Sequence, residues 1–414
     1  MSTTTTYLWT IRLTREKYLI LSGNQEFKMT KKIGIILHGA TGNICSSQHL
    51  ANALGPIRAE GGLKIAGETL VPDPVLIGRN GEKLKKIARA NKVENWTTDL
   101  ETSLADPKYS IFFDGAATHA RIGLLKRAIE AGKHIYSEKP VAPSVADGLE
   151  ILGAVGKKGL KHGAVQDKIH TPGFRKMAKL VRNGFFGRIV GFSLNFGWWV
   201  FDGIEASTNR PSWNYRKSDG GGIFFDMFPH WCYVVEGLMG PIRRIVASGW
   251  TAQRQRADEN GVKFDVDVED SSCVIVELES GAFGTIRSSW AQRVTDEDLV
   301  KFQIDGTRGS AQNGIRICRF QSADDTPTIK GFNLGASQDS IKVRPDYTAG
   351  WTEVPEVGPY INPYRLGWER FLSHVVAGTP MISDYAAGIR DVQLAEACIK
   401  SVETGKWISM DPIL

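Results

Sequence analysis

Ile33-Gly-Ile-Ile-Leu37-His38-Gly39-Ala-Thr41-Gly42-Asn43-Ile44-Cys45 is the stretch that decides the fold. An apolar run ends in a glycine turn, and a helical pattern through Gln48, Leu50, Ala51 and Leu54 follows. Such a run reads as a fully buried strand of the kind found at the centre of parallel sheets. Strand, glycine turn and helix form the dinucleotide-binding context. Gly39 permits the tight turn, and Gly42 lets the backbone approach a pyrophosphate seated on the helix N-terminus. Cys45 stands where that pattern has its third glycine and is small enough for close helix packing. His38 reads as a packing or lining residue.

Outward from this stretch, strands and helices alternate. Pro72–Ile77 reads as the second strand, closed by Gly78-Arg79-Asn80. Domains that prefer NAD usually end this strand with an acid that takes the ribose hydroxyls; glycine followed by arginine suits a 2′-phosphate by charge and fork geometry. The expected cofactor is therefore NADP, with NAD as the other choice. A helix over Glu82–Asn91, a short strand near Trp96, a helix over Glu101–Ala105 and a strand over Ile111–Asp114 come next. Gly115-Ala-Ala-Thr118-His119 leads into a helix bearing Leu124, Leu125, Ala128 and Ile129. That helix stops at Gly132, and His134–Tyr136 is a fifth strand whose carboxyl end carries Glu138-Lys139-Pro140. Ligands of open parallel sheets bind off that edge. Proline removes a donor and holds Lys139 extended, aiming its ammonium outward. A helix over Val145–Val155 and a strand over His162–Gln166 complete a six-strand doubly wound domain.

The second half changes character. After a helix over Phe174–Asn183, β-rich segments fall at Arg188–Phe196, Arg244–Thr251, Ser272–Glu279, Gly284–Trp290 and Val300–Asp305. Pro363–Ala377 and Ala386–Thr404 read as closing helices. The expected fold is α/β: an N-terminal Rossmann domain over 29–166, then an α+β domain over 167–414 with a large, mostly antiparallel sheet. Inside the second domain lies Trp213-Asn214-Tyr215-Arg216, followed by the triplet Gly220-Gly-Gly222 and Asp226-Met-Phe-Pro229-His230. Pro229 belongs in a first helical turn, so a helix is expected to start near Asp226. Asp226 and His230, four apart, then share a face. Asp226 as a helix cap and His230 as a packed histidine is the plain structural alternative.

Glycines after the first strand, Glu138-Lys139-Pro140 about a hundred residues on, and Asp226-x-x-x-His230 together resemble the Gfo/Idh/MocA oxidoreductases, over essentially Met29 to Leu414. The resemblance implies that Lys139 and His230 serve proton transfer and alkoxide stabilisation, with Asp226 orienting His230 or binding a neighbouring hydroxyl. It implies cofactor contacts from Gly39, Thr41, Gly42, Asn43, Ile44, Arg79, Asn80, Thr118, His119, Glu138 and Lys139. It also implies an antiparallel sheet serving as substrate domain and subunit interface, hence a homo-dimer or tetramer. A sugar, cyclitol or related polyol is the expected substrate. Lys168, Asn214 and Arg216 are expected to bind hydroxyls, and Trp213 and Tyr215, with Trp198, Trp199 and Phe201, to stack on a ring or pack in the core. An aromatic dihydrodiol or tetrapyrrole substrate, hydride-dependent glycoside cleavage, and a cofactor-binding metabolite sensor without turnover remain open.

Composition narrows the class. At 414 residues with 42% apolar and 23% charged content, the chain is a two-domain globular protein by length and composition. Its 51 basic and 45 acidic residues are mixed, so the net +6 forms no nucleic-acid arm. Cys45, Cys232, Cys273, Cys318 and Cys398 stand far apart, which suits free thiols in a reducing cytoplasm and no zinc site. Asp226 and His230 lack obvious further ligands, so no metal is expected. No apolar run approaches a membrane span. Residues 1–28 carry the threonine run Thr3–Thr6 and no apolar face, and are expected to be a dispensable extension.

Overall fold

The structure, a computed structural model, describes residues 30–199, 211–293, 298–328, 346 and 348–413. The expectations for residues 1–28 and Phe201 lie outside the described residues.

Strand β1 (Thr30–His38) is the axis of the first sheet; Ile35, Ile36 and Leu37 are fully buried. It pairs in parallel with β3 (Glu68–Ile77) on one side and β5 (Tyr109–Asp114) on the other. Beyond β3 lies β4 (Asn95–Thr97), and beyond β5 lie β6 (His134–Ser137) and β7 (His162–Ala164), all parallel. The parallel order β4-β3-β1-β5-β6-β7 reverses direction at β1, so a crevice opens at the carboxyl ends of β1 and β5. The sheet also carries a seventh, antiparallel strand, β2 (Leu63–Ile65), on the first half of β3. The six-strand expectation missed it because Pro72 and Pro74 made β3 look shorter than it is. Pairing with β1 in fact runs through both prolines, opposite Ile33 and Ile35.

Connecting helices cover both faces. Ile44–Leu54 is wound with wide π-type turns and passes directly into α1 (Gly55–Ala59). Then come α2 (Gly81–Ala90), α3 (Leu100–Ala105), α4 (Thr118–Glu130) and α5 (Val145–Lys157). The caps are chemical: Asn80, Asp99 and Ser144 each accept a backbone N–H of the helix they precede.

After a single 3₁₀ turn over Asp167–His170, α6 (Pro172–Arg182) leads into β8 (Ile189–Gly197), and further on come α7 (Ile223–Asp226), α8 (Phe228–Met239) and β9 (Ile242–Trp250). A small hairpin, β10 (Gln255–Ala257) and β11 (Lys263–Asp265), precedes β12 (Ser271–Leu278), β13 (Phe283–Ser289), β14 (Val300–Gly306), β15 (Gly309–Asn313), β16 (Cys318–Ser322) and β17 (Thr352–Glu353). The chain ends with α9 (Pro363–Ala377), α10 (Tyr385–Thr404) and β18 (Ile408–Ser409). The second sheet has nine strands in the order β17-β16-β15-β14-β8-β13-β12-β9-β18. Every pair in it is antiparallel except β8 with β13. The five expected strands are present; the added ones are short or glycine- and serine-rich and lack an apolar period.

The closing helices depart from a simple two-part division at residue 166. Trp368, Phe371 and Leu372 of α9 pack with Ile35, Leu37, Phe113 and Tyr136 of the first sheet. Helix α10 straddles both cores. Tyr385, Ile389 and Val392 join Ile36, Phe112 and Ile135, while Leu394, Ala397 and Cys398 join the cluster under the second sheet. Its contact with the first sheet is close enough to demand Gly388, where a Cβ would lie 2.5 Å from Val141 Cγ1. Among the described residues no helix is long and apolar enough to cross a membrane. All five cysteines are free thiols.

Candidate active site

The glycine turn after β1 is built by close backbone approach. Gly39 has φ +79°, and a Cβ there would stand 2.6 Å from the Gly115 carbonyl oxygen. The Gly115 amide donates to the His38 carbonyl at 3.1 Å, fixing the β1 and β5 ends together. Cys45 fills the place of the missing third glycine: it is buried, and burial pushes its thiol pKa up. Thr41 is half-buried, and Gly42, Asn43 and Ile44 are exposed at the first turn of the helix, where backbone N–H groups have no intrahelical acceptor. The end of β3 borders this turn, since a Cβ on Gly78 would lie 3.0 Å from Thr41 Cγ2. Arg79 and Asn80 beside it are exposed, with Asn80 Oδ1 engaged in capping α2 through the Lys83 amide. Thr118 and His119 open α4 on the next strand. A dinucleotide fits this donor set: an open glycine turn, first-turn amides and one exposed guanidinium, with no carboxylate at the end of β3.

Lys139 reaches the second unit. Its Nζ donates to the backbone carbonyl of Asp226 at 2.6 Å and to Asp226 Oδ1 at 2.7 Å, with both side chains largely buried. An ammonium has three donors, so a third remains for another oxygen. Glu138 beside it is held from behind. His49 Nε2 lies 2.6 Å from Glu138 Oε1, and Glu138 Oε2 accepts the Lys139 amide at 3.1 Å. Trp368 Nε1 lies 3.0 Å from His49 Nδ1. Indole N–H only donates, so Nδ1 is the acceptor and Nε2 carries the proton given to Glu138.

The histidine of the second motif is anchored elsewhere than expected. His230 Nδ1 lies 2.7 Å from the Tyr233 hydroxyl and 3.6 Å from Asp167 Oδ1. Tyr233 also contacts Asp167 Oδ1 at 3.2 Å and accepts the Lys168 amide at 3.1 Å. Lys168 Nζ pairs with Asp167 Oδ2. Burial alone would push the Asp167 carboxyl up, but Lys168 beside it, with Lys139 and the Tyr233 hydroxyl, holds it below the ordinary carboxylate range. His230 Nδ1 is thus hydrogen-bonded to Tyr233, while Asp226 grips Lys139. The helical start also shifts. Asp226 ends the short turn α7, Met227 caps α8, and Pro229 sits in the first turn of a helix beginning at Phe228.

The expected substrate residues divide. Gly221 is obligatory because a Cβ would lie 2.4 Å from the Asn214 carbonyl oxygen, so the 212–215 turn packs directly on the glycine triplet before Asp226. Trp213 is exposed on that turn, and Lys168 stands beside Asp167. Asn214 and Tyr215 are buried. Tyr215 is a core residue rather than a stacking platform. The Arg256 guanidinium lies 4.2 Å over its ring, Trp290 meets it edge-on at 5.4 Å, and Arg256 is fixed by Asp270 at 2.8 Å. Arg216 lies over Phe264 at 4.4 Å. Trp198 packs partly against the core and Trp199 is exposed.

Residues 34–165 match the "Oxidoreductase family, NAD-binding Rossmann fold" and residues 174–312 the "GFO/IDH/MocA C-terminal domain". The D-xylose dehydrogenase of Paenarthrobacter nicotinovorans is 39% identical over 393 residues, covering 93% of this chain and 100% of that protein. The chain belongs to the Gfo/Idh/MocA family. It is an NAD(P)-dependent oxidoreductase acting on CH–OH groups. The levoglucosan dehydrogenase of Pseudarthrobacter phenanthrenivorans is 26% identical over 359 residues, 82% of this chain and 90% of that protein. A levoglucosan dehydrogenase solved in complex with NADH and levoglucosan has the same fold, with a TM-score of 0.76 at 20% identity over 92% of this chain and 99% of that one.

Four polar residues of this Gfo/Idh/MocA chain escaped the sequence reading. His49 looked like one residue of an amphipathic helix. Asp114 and Arg121 form a buried pair at the end of β5, where Arg121 also donates to the carbonyls of Ala116, at 2.8 Å, and Pro140. That guanidinium ties the loop after β5 to the loop bearing Lys139. Tyr233, three residues after His230, carried the only readable hint, since i and i+3 are helical neighbours.

Proposed function

We propose that this enzyme oxidises a hydroxyl of a monosaccharide or closely related polyol, and reduces the corresponding carbonyl, with Lys139 and His230 as the reacting side chains. The carrying observation is the Lys139–Asp226 pair, which draws the ammonium of the nucleotide-binding half onto the element preceding His230. The D-xylose and levoglucosan dehydrogenases among its relatives favour a sugar over an aromatic diol or tetrapyrrole.

Gly39, Thr41, Gly42, Asn43 and Ile44 would hold the pyrophosphate, with Glu138 and Lys139 near the reacting ring. The nicotinamide supplies a two-electron acceptor for the hydride of the carbinol carbon. The chain's own residues manage the proton. Neutral His230 takes the hydroxyl proton on Nε2, its Nδ1 being held by Tyr233. The third donor of Lys139 stabilises the developing oxyanion, a task worth more where the ammonium and its partner carboxylate are largely buried. Asp226 fixes that ammonium in place, so little reorganisation remains for the reaction. Lys168, paired with Asp167, and Trp213, exposed on the 212–215 turn, would meet the substrate. Arg79, without a neighbouring acid at the end of β3, favours NADP.

The test is a panel of pentoses, hexoses, levoglucosan and inositols offered to the full chain with NAD⁺ and NADP⁺, following formation of the reduced cofactor. Turnover of one or more sugars is expected. Binding of reduced cofactor with no turnover of any panel member, in either direction, would overturn the proposal.

A further inference from the structure

We propose that Tyr233 and Asp167 are positioning residues that hold His230 in the tautomer needed for proton abstraction and balance its charge once protonated; this rests on His230 being the proton acceptor.

The protons around the Tyr233 hydroxyl decide the tautomer. A tyrosine hydroxyl donates once and accepts twice. The Lys168 amide supplies one hydrogen to Tyr233 at 3.1 Å. Two contacts remain, His230 Nδ1 at 2.7 Å and Asp167 Oδ1 at 3.2 Å. If Nδ1 carries a proton, it donates to Tyr233, Tyr233 donates to Asp167, and every group is satisfied. If Nδ1 is bare, Tyr233 must donate to it, and the carboxylate oxygen faces the hydroxyl oxygen with no proton between them. Asp167 is buried and held ionised, so leaving that oxygen without a donor is the costlier arrangement. Tyr233 stays a hydroxyl throughout, because burial pushes its pKa well up. The neutral ring therefore carries its proton on Nδ1 and its lone pair on Nε2.

The same chain manages charge. The substrate proton arrives at Nε2, the Nδ1 proton stays on the ring, and none passes through Tyr233. The resulting imidazolium has Asp167 Oδ1 3.6 Å from Nδ1. Charged groups around it come from several elements. Asp167 and Lys168 belong to the turn after β7, Lys139 follows β6, and Asp226 ends α7. Each lysine is engaged by one of the two carboxylates, leaving Asp167 as the charge joined to His230 through Tyr233.

The experiment uses the full-length enzyme and two variants, Tyr233→Phe and Asp167→Asn. Nitrogen-15 NMR of labelled imidazole reads the tautomer directly, and the pH dependence of kcat reads its consequence. Wild type should show His230 protonated at Nδ1 when neutral. Tyr233→Phe should lose that preference and lower kcat by about 10- to 100-fold with KM nearly unchanged, as expected for an interaction that matters in the transition state. Asp167→Asn should move the acid limb of the kcat profile down by about one pH unit, because it removes an anion beside the protonated ring. Tyr233→Phe deletes a single oxygen, so it carries the test if Asp167→Asn folds poorly through the loss of its Lys168 pair. A wild-type ring protonated at Nε2, or variants with the wild-type pH profile and kcat, would overturn the positioning role. If His230→Ala destroys turnover while Tyr233→Phe does not lower it, the positioning role alone fails. If His230→Ala turns over normally, the underlying assignment of the base fails with it.

Discussion

Replacing His49 with phenylalanine should weaken the enzyme twice, in stability and in turnover, and the two losses should separate. His49 is fully buried between Trp368 and Glu138, and its ring lies 4.2 Å from that of Phe113 and 5.0 Å from that of Tyr364. A phenyl ring keeps those contacts and removes both hydrogen bonds. The bond to the Glu138 carboxylate, being charge-assisted, is worth roughly 1.5–3 kcal/mol. The Trp368 N–H, with its residue fully buried, then has no acceptor, which costs roughly 1–3 kcal/mol more. A total of about 3 kcal/mol, toward the lower end of that sum, corresponds to a fall in melting temperature of about 3–4 °C in a chain of this size. Glu138 also loses the restraint on the carboxylate that receives the Lys139 amide, so kcat should fall roughly tenfold through misplacement of the ammonium. His49→Gln, whose amide can still donate to Glu138, should recover more kcat than stability. Scanning calorimetry and initial rates decide the matter. A His49→Phe enzyme melting within about 1 °C of wild type with unchanged kcat would refute the chain from Trp368 to Lys139.

Three further outcomes follow from the same geometry. Lys139→Ala and His230→Ala should each lower turnover by about 10²–10⁴-fold, and the double variant should be no worse than the poorer single one; steady-state kinetics checks both, and additive losses would separate the two roles. Fluorescence titration should show NADPH binding more tightly than NADH, with Arg79→Ala reversing the order; tighter NADH binding in wild type would remove the role given to Arg79. Asp391 of α10 is buried beside the Gln166 amide, which donates to it at 2.9 Å, and burial pushes its carboxyl pKa well up. Its folded value thus exceeds the unfolded value of about 3.9, so its contribution to stability is present below that pH and is lost as pH rises through the folded value. Asp391→Asn should melt higher than wild type at pH 8, with the gap narrowing toward pH 4; a gap constant with pH would show that the carboxyl is not the cause.

What the sequence made legible was local. The apolar run into Gly39 and the carboxyl-edge position of Lys139 need only a few neighbouring residues to be read, and both stand where the reading put them. The partners of the motif residues were not legible, because they are set by non-local contacts or by a break in regular structure. Four residues separate Asp226 from His230, and in one continuous helix that spacing gives a shared face. Here α7 ends at Asp226 and α8 begins at Phe228, and the Asp226 carboxylate is taken by Lys139, so the spacing does not produce the contact. Asp226 turns to Lys139, 87 residues earlier, and His49 is fixed by Trp368, 319 residues later. Tyr215 stayed undecided for a related reason: an aromatic near a motif reads equally as platform or core until a buried Arg256, 41 positions on, is seen over its ring.

The return of the last helices to the first sheet was also hidden, and it bears on function. Helix α10 has one amphipathic pattern in sequence, yet Ile389 and Val392 pack under the nucleotide-binding sheet while Leu394 and Cys398 pack under the other. No composition shift marks such a helix as shared. Its consequence is mechanical. Lys139 follows a strand of the first sheet and His230 lies on α8, packed under the second, so their separation depends on how rigidly the two sheets are joined. A twenty-residue helix buried in both cores, with Asp391 between them, makes that joint part of the folded core. Substitutions along α10 at the junction, far in sequence from either motif, should therefore act on turnover through the distance between ammonium and imidazole, and should show up in kcat before they show up in cofactor affinity.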